Sequence, residues 1–280
     1  MNPLRQLGLV VQPDAAHPLS SLFHRLSRII RDDQEFATLP SNTPVRDAIH
    51  FMQEKGFSQI PMREGRDIVG VFSYRSFAVQ SLKFNDPKTP PSDLTIGDFA
   101  EDLPFVAPGD PFDEVIDKLD RYDALLLGTP NNTVAIITAM DILRYLYGAT
   151  SPYVLVAEIE LAIRALMSRS LDGRSPIESF ARCLKNKYGD KVPDKLEDLT
   201  FDDYQVVITS SDNWASFKDA FGSTPAIVRT KLSCTRDLRN ALFHFRRGIT
   251  IEEFQELAET RTWLLRRSRI LEGQEGGARV

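Results

Sequence analysis

The chain is poor in the residues that build disulfide frameworks and metal sites. Only two of its 280 residues are cysteine, Cys183 and Cys234, and only four are histidine. Two separated cysteines are too few for a disulfide framework and lack the spacing of a metal site, and they fit a reducing cytoplasm. A third absence is a glycine-rich phosphate loop. The sequence therefore gives no support to a metal enzyme or to an enzyme with a cysteine nucleophile.

Long apolar runs are also missing. The longest uncharged apolar run covers 134–140, far short of the ~20 residues that a bilayer span needs. The first eleven residues contain one basic residue and lack the apolar core and small-residue cleavage site of a signal peptide. We therefore expect a cytoplasmic protein that does not contact a membrane.

The net charge of -5 argues against polyanion binding along the whole chain. The charge is unevenly distributed, because residues 225–271 contain ten Lys or Arg and five Asp or Glu. This segment is therefore +5 and the rest of the chain is -10. A basic segment on an acidic protein is where a nucleic-acid site would be sought, although a solvated helix face explains the same charge.

An internal repeat occupies the first half of the chain. Residues 43–49 (TPVRDAI) align with 110–116 (DPFDEVI), and residues 67–77 align with 132–142. Thr43 and Asp110 each precede a proline, which predicts an N-cap followed by proline at the first helical position. The later pair predicts a β-branched strand that breaks at a hydroxyl residue and starts a helix. Two such units bury little alone, so we predict that they pair in one α/β body.

These segments, together with Ser58-Gln59-Ile60-Pro61, make residues 36–148 resemble a tandem pair of CBS (cystathionine-β-synthase) domains. The resemblance implies a cleft that binds an adenine nucleotide (AMP, ADP or ATP) as a regulatory ligand. It places the hydroxyl of Thr138 at the phosphate or ribose and the carboxylate of Asp141 at the ribose diol.

The first unit departs from this pattern, because its turn is Ser73-Tyr74-Arg75-Ser76. Ser76 offers one uncharged hydroxyl where a carboxylate accepts two charge-assisted hydrogen bonds from a cis-diol. We therefore expect one competent nucleotide site, around Thr138 and Asp141, and leave open a second site around Ser73. The alternative role of Asp141 is a cap that stabilises its own helix.

The pattern changes to helices after a breaker stretch at 148–152. Apolar spacing predicts helices at 153–171, 176–188, 214–221 and 232–247, with 205–208 ambiguous. A capping box of Thr250 and Glu253 opens a final helix that runs through Leu264. The expected fold class is α+β multidomain, with four parts: a helical lead-in (1–35, with an amphipathic helix at 18–30), the CBS pair (36–148), an all-α bundle (153–271) and a flexible tail (272–280).

The helix predicted at 232–247 has an unusual polar face over residues 238–247. A helical projection turns one apolar arc to the core, formed by Leu238, Ala241, Leu242 and Phe245. It turns the opposite arc outward, with Arg239, Asn240, Phe243 and His244. An exposed Phe243 favours a face that meets a second copy of itself and brings Arg239 and His244 of two chains towards one groove. The alternative is a solvated basic helix.

The six residues from Arg239 to His244 match the Arg-Asn-x-x-x-His signature of the HEPN superfamily, and 157–164 resembles the first helix of these all-α domains. The resemblance implies a dimeric, metal-independent endoribonuclease. His244 would exchange a proton with the 2′-hydroxyl or the leaving oxygen. Arg239 would neutralise the phosphoryl oxygens, Asn240 would orient the imidazole or the phosphate, and Glu158 would support the site. RNA would yield a 2′,3′-cyclic phosphate, and DNA would be spared.

The leading hypothesis from the sequence is a homodimer in which an adenine nucleotide at the CBS pair controls a HEPN ribonuclease of stress, defence or toxin type. The alternative is a non-catalytic sensor or adaptor whose HEPN-like domain dimerises or binds RNA. The net acidity favours the alternative, whereas the complete Arg-Asn-x-x-x-His signature favours catalysis.

Overall fold

The computed structural model describes residue 29 and residues 36–83, 89–171, 176–222 and 224–277, with side chains as far as residue 272. The chain divides into two compact units, and the boundary lies between Tyr145 and Leu146. We call the described residues before this boundary the repeat unit and those after it the helical unit. The helix predicted at 18–30 lies outside the described residues except for Ile29, which is buried in the repeat unit.

The repeat unit begins with a three-stranded sheet and two helices. Its first elements are β1 (Leu39–Pro40), α1 (Val45–Lys55), β2 (Gln59–Glu64), β3 (Asp67–Ser73) and α2 (Tyr74–Ser81). β1 pairs with β2 in parallel, and β2 pairs with β3 as an antiparallel hairpin. α1 supplies the crossover connection that a parallel pair of strands needs.

A second copy of the same arrangement follows. Its elements are β4 (Phe105–Val106), α3 (Phe112–Tyr122), β5 (Ala124–Thr129), β6 (Asn132–Thr138) and the start of α4 (Ala139–Ser170). Both hairpins have a register shift at the equivalent position, between Met62 and Arg63 and between Leu127 and Gly128. The predicted internal repeat is therefore confirmed, and the structure shows that the two hairpins also share an irregularity.

The two copies share their core. Ile96 and Phe99, which precede the second sheet, are fully buried in the same cluster as Phe72 of the first copy. Val71 of β3 exchanges two backbone hydrogen bonds of 2.9 Å with Glu101. Because each copy buries side chains of the other, the pair forms one α/β body, as predicted.

The first helix of each copy begins one residue later than predicted. The N-cap residues are Pro44 and Pro111, whose ψ angles are 139° and 142°, and no side chain caps either helix. These ψ values are those of an extended residue, so the proline lies before the first turn. The predicted cap Asp110 instead accepts a hydrogen bond from the backbone N–H of Ala107 at 3.1 Å, and the predicted cap Thr43 makes no side-chain cap bond.

The break predicted at 148–152 is wrong, because α4 continues through Pro152. An internal proline removes one N–H donor and crowds the carbonyl four residues earlier. The buried face of α4, which includes Val156, Ile159 and Ile163, outweighs this local cost. Apolar burial along one side of a long helix therefore overrides its breaker residues here.

The helical unit continues after α4 with helices alone in the described residues. These are α5 (Pro176–Tyr188), α6 (Phe201–Thr209), α7 (Trp214–Phe221), α8 (Pro225–Phe243) and α9 (Ile251–Gly277). α5 and α7 have the predicted bounds, and α6 shows that the ambiguous segment 205–208 is helical. The capping box of Thr250 and Glu253 is present before α9, as predicted. α9 runs to Gly277, so the first residues of the predicted flexible tail are helical.

A buried carboxylate joins two helices of this unit. Asp203 of α6 is 1% exposed and accepts hydrogen bonds from Nζ of Lys187 and the hydroxyl of Tyr188, each at 2.7 Å. It also accepts from the N–H and the hydroxyl of Thr200, at 2.9 and 2.7 Å. Burial alone would raise the pKa of Asp203, but these hydrogen bonds outweigh it and hold the pKa below its ordinary value. The ionised carboxylate therefore fastens α6 to the end of α5.

α8 ends at Phe243, four residues earlier than predicted. The N–H of Phe245 bonds to the carbonyl of Leu242 at 3.0 Å, and the N–H of Arg246 bonds to the carbonyl of Ala241 at 2.9 Å. This is the pattern of a Schellman motif, and Phe245 occupies its left-handed position with φ of 51°. The prediction that Phe245 faces the core is therefore wrong, because its side chain is 81% exposed, whereas the rest of the predicted apolar arc is buried.

Candidate functional site

The turn between β6 and α4 contains the residues that the sequence predicts to bind a nucleotide. Oδ2 of Asp141 accepts hydrogen bonds from the backbone N–H and the hydroxyl of Thr138, at 2.9 and 2.7 Å. Oδ1 of Asp141 lies 3.7 Å from Nη1 of Arg144, and the Asp141 side chain is partly exposed. The carboxylate thus closes the first turn of α4, while Oδ1 keeps the capacity to accept hydrogen bonds from a ligand.

The equivalent turn of the first copy is engaged within the protein. Ser73 and Ser76 are buried and form a capping box at the start of α2, with hydrogen bonds of 2.9 and 3.0 Å between each hydroxyl and the other residue's N–H. The hydroxyl of Ser73 also donates to the carboxylate of Glu101. A phosphate brought to Ser73 would therefore meet a carboxylate of like charge, which disfavours its binding.

The predicted ribonuclease signature lies at the end of α8. Arg239 and Asn240 belong to its last two turns, and His244 is its C-cap residue. The N–H of His244 bonds to the carbonyl of Asn240 at 3.2 Å, so the two residues lie one turn apart, although His244 lies just beyond the helix. The imidazole of His244 is exposed. The structure therefore brings these three residues to one end of the helix.

Arg239 is half-buried among three neighbouring groups. Its Nη1 lies 3.4 Å from Oδ1 of Asn240, and its guanidinium carbon lies 5.3 Å from the ring centre of Phe243. Its Nε lies 4.0 Å from Oε2 of Glu160 and has no hydrogen-bond partner in the described part of the chain. This Nε donor is buried and faces Glu160, which offsets part of the guanidinium charge.

The carboxylate of Glu158 pairs with Arg261 of α9 and not with Arg239. The acid that contacts Arg239 is Glu160, two residues later on α4, which also pairs with Arg164. Two residues rotate a helix by ~200°, so these two acids face different neighbours. Sequence reasoning missed Glu160 at this site, because no local spacing links α4 to the distant end of α8.

Carboxylates balance much of the basic segment at 225–271. Four of its arginines form ion pairs, namely Arg236 with Asp202 and Asp237, Arg239 with Glu160, Arg247 with Glu253, and Arg261 with Glu158. Each pair reduces the positive potential that a polyanion would meet. Asp202, Glu160 and Glu158 lie outside the segment, so the surface around it is less positive than its sequence charge indicates.

The described residues contain neither a candidate metal site nor a candidate membrane-spanning helix. No group of three or more His, Cys, Asp or Glu side chains in these ranges could hold a metal ion. No helix in these ranges is long and apolar enough to cross a membrane.

Comparison with known families identifies the repeat unit. Residues 27–79 and 96–148 match the model of the CBS domain family. Each match includes the parallel strand pair, the hairpin and the helix that follows it, in one copy of the repeat. The chain therefore contains a tandem pair of CBS domains over 27–148, as the sequence resemblance implies. The match ends at residue 148, so the HEPN resemblance of the helical unit stays a prediction.

Several solved structures with CBS domains are similar to part of the chain. A putative signal-transduction protein with CBS domains from Burkholderia ambifaria MC40-6 is 19% identical over 44% of this chain and 93% of its own, with a TM-score of 0.39. A conserved CBS domain protein of unknown function from Thermoplasma acidophilum is 24% identical over 44% and 69%, with a TM-score of 0.39. A CBS domain pair solved with 5′-methylthioadenosine and S-adenosyl-L-methionine is 19% identical over 45% and 98%, with a TM-score of 0.38. No curated protein matches the chain.

Proposed function

We propose that this protein is a regulatory sensor whose CBS pair binds an adenine nucleotide (AMP, ADP or ATP) at Thr138 and Asp141. The observation that carries the proposal is the turn between β6 and α4, within the region that matches CBS domains. There, two hydrogen bonds from Thr138 hold a partly exposed carboxylate in a fixed orientation. A carboxylate fixed in this way accepts hydrogen bonds from a ligand without first losing its own conformational freedom.

The surroundings of Asp141 complement both parts of a nucleotide. Oδ1 accepts from the ribose diol, and the oxygen of the Thr138 hydroxyl still has a lone pair for a ligand donor. A phosphate at this turn needs a cation to offset the charge of the Asp141 carboxylate at the start of α4. The exposed guanidinium of Arg144, 3.7 Å from Oδ1, adds a cation on the same side.

Isothermal titration of the full chain tests this site. The panel contains AMP, ADP and ATP, and also S-adenosyl-L-methionine, because one structurally similar CBS pair was solved with it. Asp141→Asn keeps the shape of the side chain and removes its charge, so the affinity should fall by about ten-fold or more. Asp113→Asn is the matched control, because Asp113 is an exposed acid in the first turn of α3. Wild-type affinity in Asp141→Asn would contradict the proposal.

We also propose that the second site of the pair, around Ser73, does not bind the nucleotide. Its hydroxyl is already used by Glu101 and by the cap of α2, and a phosphate would meet the Glu101 carboxylate. The titration should therefore give a stoichiometry of about one nucleotide per chain. A stoichiometry of two would contradict this proposal.

The output of the sensor is proposed to be a homodimer formed by the helical unit. Phe243 is 44% exposed and Phe245 is 81% exposed, and two apolar residues of α4, Val154 and Leu161, are exposed as well. Holding a non-glycine residue at the left-handed φ of Phe245 costs roughly 1 kcal/mol. A second copy that presents the same patch across a two-fold axis would cover these side chains. Analytical ultracentrifugation of the wild type and Phe243→Ser measures the oligomeric state directly. If both proteins are monomers, the proposed homodimer is contradicted.

A second candidate function is a metal-independent endoribonuclease of HEPN type. The partly exposed guanidinium of Arg239 and the exposed imidazole of His244, at one end of α8, favour it. In this reaction His244 takes the proton of a ribose 2′-hydroxyl, and the 2′-oxygen attacks the adjacent phosphorus. The bond from phosphorus to the 5′-oxygen breaks, which leaves a 2′,3′-cyclic phosphate and a 5′-hydroxyl after protonation. Arg239 neutralises the phosphoryl oxygens and Asn240 orients the reacting groups.

RNA cleavage in EDTA distinguishes the two candidates. The full chain is incubated with single-stranded RNA, tRNA and DNA, with and without AMP or ATP. If the protein is a ribonuclease, only RNA is cut, and His244→Ala and Arg239→Ala each reduce the rate by about 10²-fold or more. Arg246→Ala is the matched control, because it removes an exposed cation two residues beyond His244. If no RNA is cleaved with any nucleotide, the ribonuclease candidate is excluded and the non-catalytic sensor is favoured. If a nucleotide changes the cleavage rate, the repeat unit and the helical unit are functionally coupled.

A further inference from the structure

The helical unit contains an open groove that neither proposed activity uses. The groove has a volume of about 930 Å³ and lies where α5, α6 and the start of α7 meet the first turns of α8. Its polar and aromatic lining comprises Arg182, Thr209, Ser210, Ser211, Trp214 and Arg229, among others. The last groove residue on α8, Arg229, lies ten residues or ~15 Å along the helix from Arg239, so the groove is separate from the Arg239 signature.

The groove is cationic. Arg182 of α5 and Arg229 of α8 both line it, and none of its lining residues is acidic. Arg182 lies 3.9 Å from Glu178 on an exposed helix face, and Arg229 donates to the hydroxyl of Thr209 at 3.4 Å. Such long or exposed contacts contribute little. Both guanidinium groups therefore keep most of their donor capacity for an anion.

Hydroxyl groups and an indole ring complete the lining. Thr209, Ser210 and Ser211 line the groove between α6 and α7, and the hydroxyl of Thr209 donates to the carbonyl of Gln205 at 2.8 Å. The Ser210 hydroxyl accepts a long bond from the N–H of Asp212 at 3.3 Å, which leaves its proton available. Trp214 is the first residue of α7 and is half-buried. An indole face stacks on a nucleobase, and hydroxyls exchange hydrogen bonds with ribose and base edges.

We propose that this groove binds a nucleoside phosphate, with Arg182 and Arg229 at the phosphate and Trp214 against the base. A free mononucleotide and the terminal nucleotide of an RNA present the same chemistry. The volume lies within the roughly 300–1,000 Å³ that is usual for small-molecule sites. The site belongs to the helical unit, so it depends neither on the CBS site at Asp141 nor on cleavage at His244.

A cysteine in the groove allows ligand binding to be measured by alkylation. Cys183 lines the groove, so a bound ligand should protect this thiol from alkylation. Burial, reinforced by a hydrogen bond to Glu256, raises the pKa of the other cysteine, Cys234, to about 12. Alkylation by iodoacetamide at about pH 8 therefore reports mainly on Cys183, because the thiolate is the reactive form.

The experiment measures the alkylation rate of Cys183 in the full chain by mass spectrometry. The ligands are AMP, adenosine, and one oligoribonucleotide with either a 5′-phosphate or a 5′-hydroxyl. AMP tests the free nucleotide, and the two oligonucleotides test the RNA terminus. We expect saturable protection by at least one phosphorylated ligand and weaker protection by its unphosphorylated counterpart. The protection should be the same in Asp141→Asn, which separates it from the CBS site.

Charge-neutral variants complete the test. Arg182→Gln and Arg229→Gln should each raise the half-protecting concentration by about ten-fold, because each removes one charge-assisted phosphate contact. Lys185→Gln should leave it unchanged, since Lys185 is an exposed cation of α5 outside the groove. The proposal is overturned if no phosphorylated ligand protects Cys183, if adenosine protects as well as AMP does, or if Lys185→Gln has the same effect as the arginine variants.

Discussion

Replacing Asp203 with asparagine removes the charge that joins α5 to α6. The amide keeps its oxygen where Oδ2 accepts from Tyr188 and Thr200, and places its NH₂ group against Nζ of Lys187. Breaking a fully buried ion pair costs about 3–5 kcal/mol. The Lys187 side chain is 48% exposed and regains water, so we expect a loss of about 2–3 kcal/mol. For a helical unit of this size, the midpoint of thermal unfolding falls by on the order of 10 °C.

The assay follows the helical unit alone. Both tryptophans of the chain, Trp214 and Trp263, lie in this unit, so tryptophan fluorescence in urea reports its unfolding. Asp202→Asn is the matched control. Asp202 is the residue before Asp203, its side chain is 56% exposed, and it pairs with Arg236 at the surface. That control should change the unfolding free energy by less than about 0.5 kcal/mol. Equal losses in the two variants, or wild-type stability of Asp203→Asn at neutral pH, would refute the reasoning.

The pH dependence gives an independent check on the charge. The folded-state pKa of Asp203 lies below that of the unfolded chain. The stability it contributes is therefore fully present above the unfolded-state pKa and is lost as the pH falls through the folded-state pKa. The unfolding free energies of the wild type and Asp203→Asn should converge in acid and should differ by a constant amount between about pH 6 and 8. If the difference in unfolding free energy persists unchanged down to the pH of acid unfolding, the charge of Asp203 is not its cause.

Three further substitutions test single features of the backbone and the caps. Gly128→Ala should destabilise the CBS pair by about 2 kcal/mol or more in urea unfolding followed by circular dichroism, because its φ is +113° and a Cβ would lie 2.2 Å from the carbonyl of Asn132. Gly109→Ala, whose Cβ would meet nothing within 4 Å, should be nearly neutral. Phe245→Gly should stabilise the helical unit by about 1 kcal/mol in thermal unfolding and reduce the dimer fraction in ultracentrifugation. Glu253→Ala should cost about 1 kcal/mol in tryptophan-monitored unfolding, since it removes the capping box of α9, and a smaller loss than an exposed-acid control would contradict this.

Helix ends could be predicted where local chemistry marks them. Pro176 opens α5, and Gly189 follows it with φ of 61°, so both bounds are visible in the sequence. α8 has no such mark, because the first glycine after it is Gly248 and the apolar spacing continues through Phe245. The chain ends this helix by placing an aromatic residue in a position that favours glycine. Periodicity cannot reveal that choice, since it records residue types and not backbone conformation.

The same distinction applies to the candidate site. Thr138 and Asp141 are three residues apart in the sequence, and their contact follows from the capping pattern alone. The contacts of Glu160 with Arg239 and of Ser73 with Glu101 join segments that are distant in the chain. A sequence period predicts which face of an element is polar, but the partner of that face depends on how the elements pack. The acids that moderate Arg239 and Ser73 therefore became visible only in the structure.

The burial of Ile96 and Phe99 beside Phe72 means that the unit of sequence duplication is not the unit of folding. A fragment cut between the copies, in the connection at 84–95, would leave the first copy without two of its core side chains. It would also leave Val71 without the backbone partner that Glu101 supplies. The two copies of this CBS pair are thus mutually dependent, and recombination that exchanges one copy between proteins must carry the segment through residue 101 with the first copy.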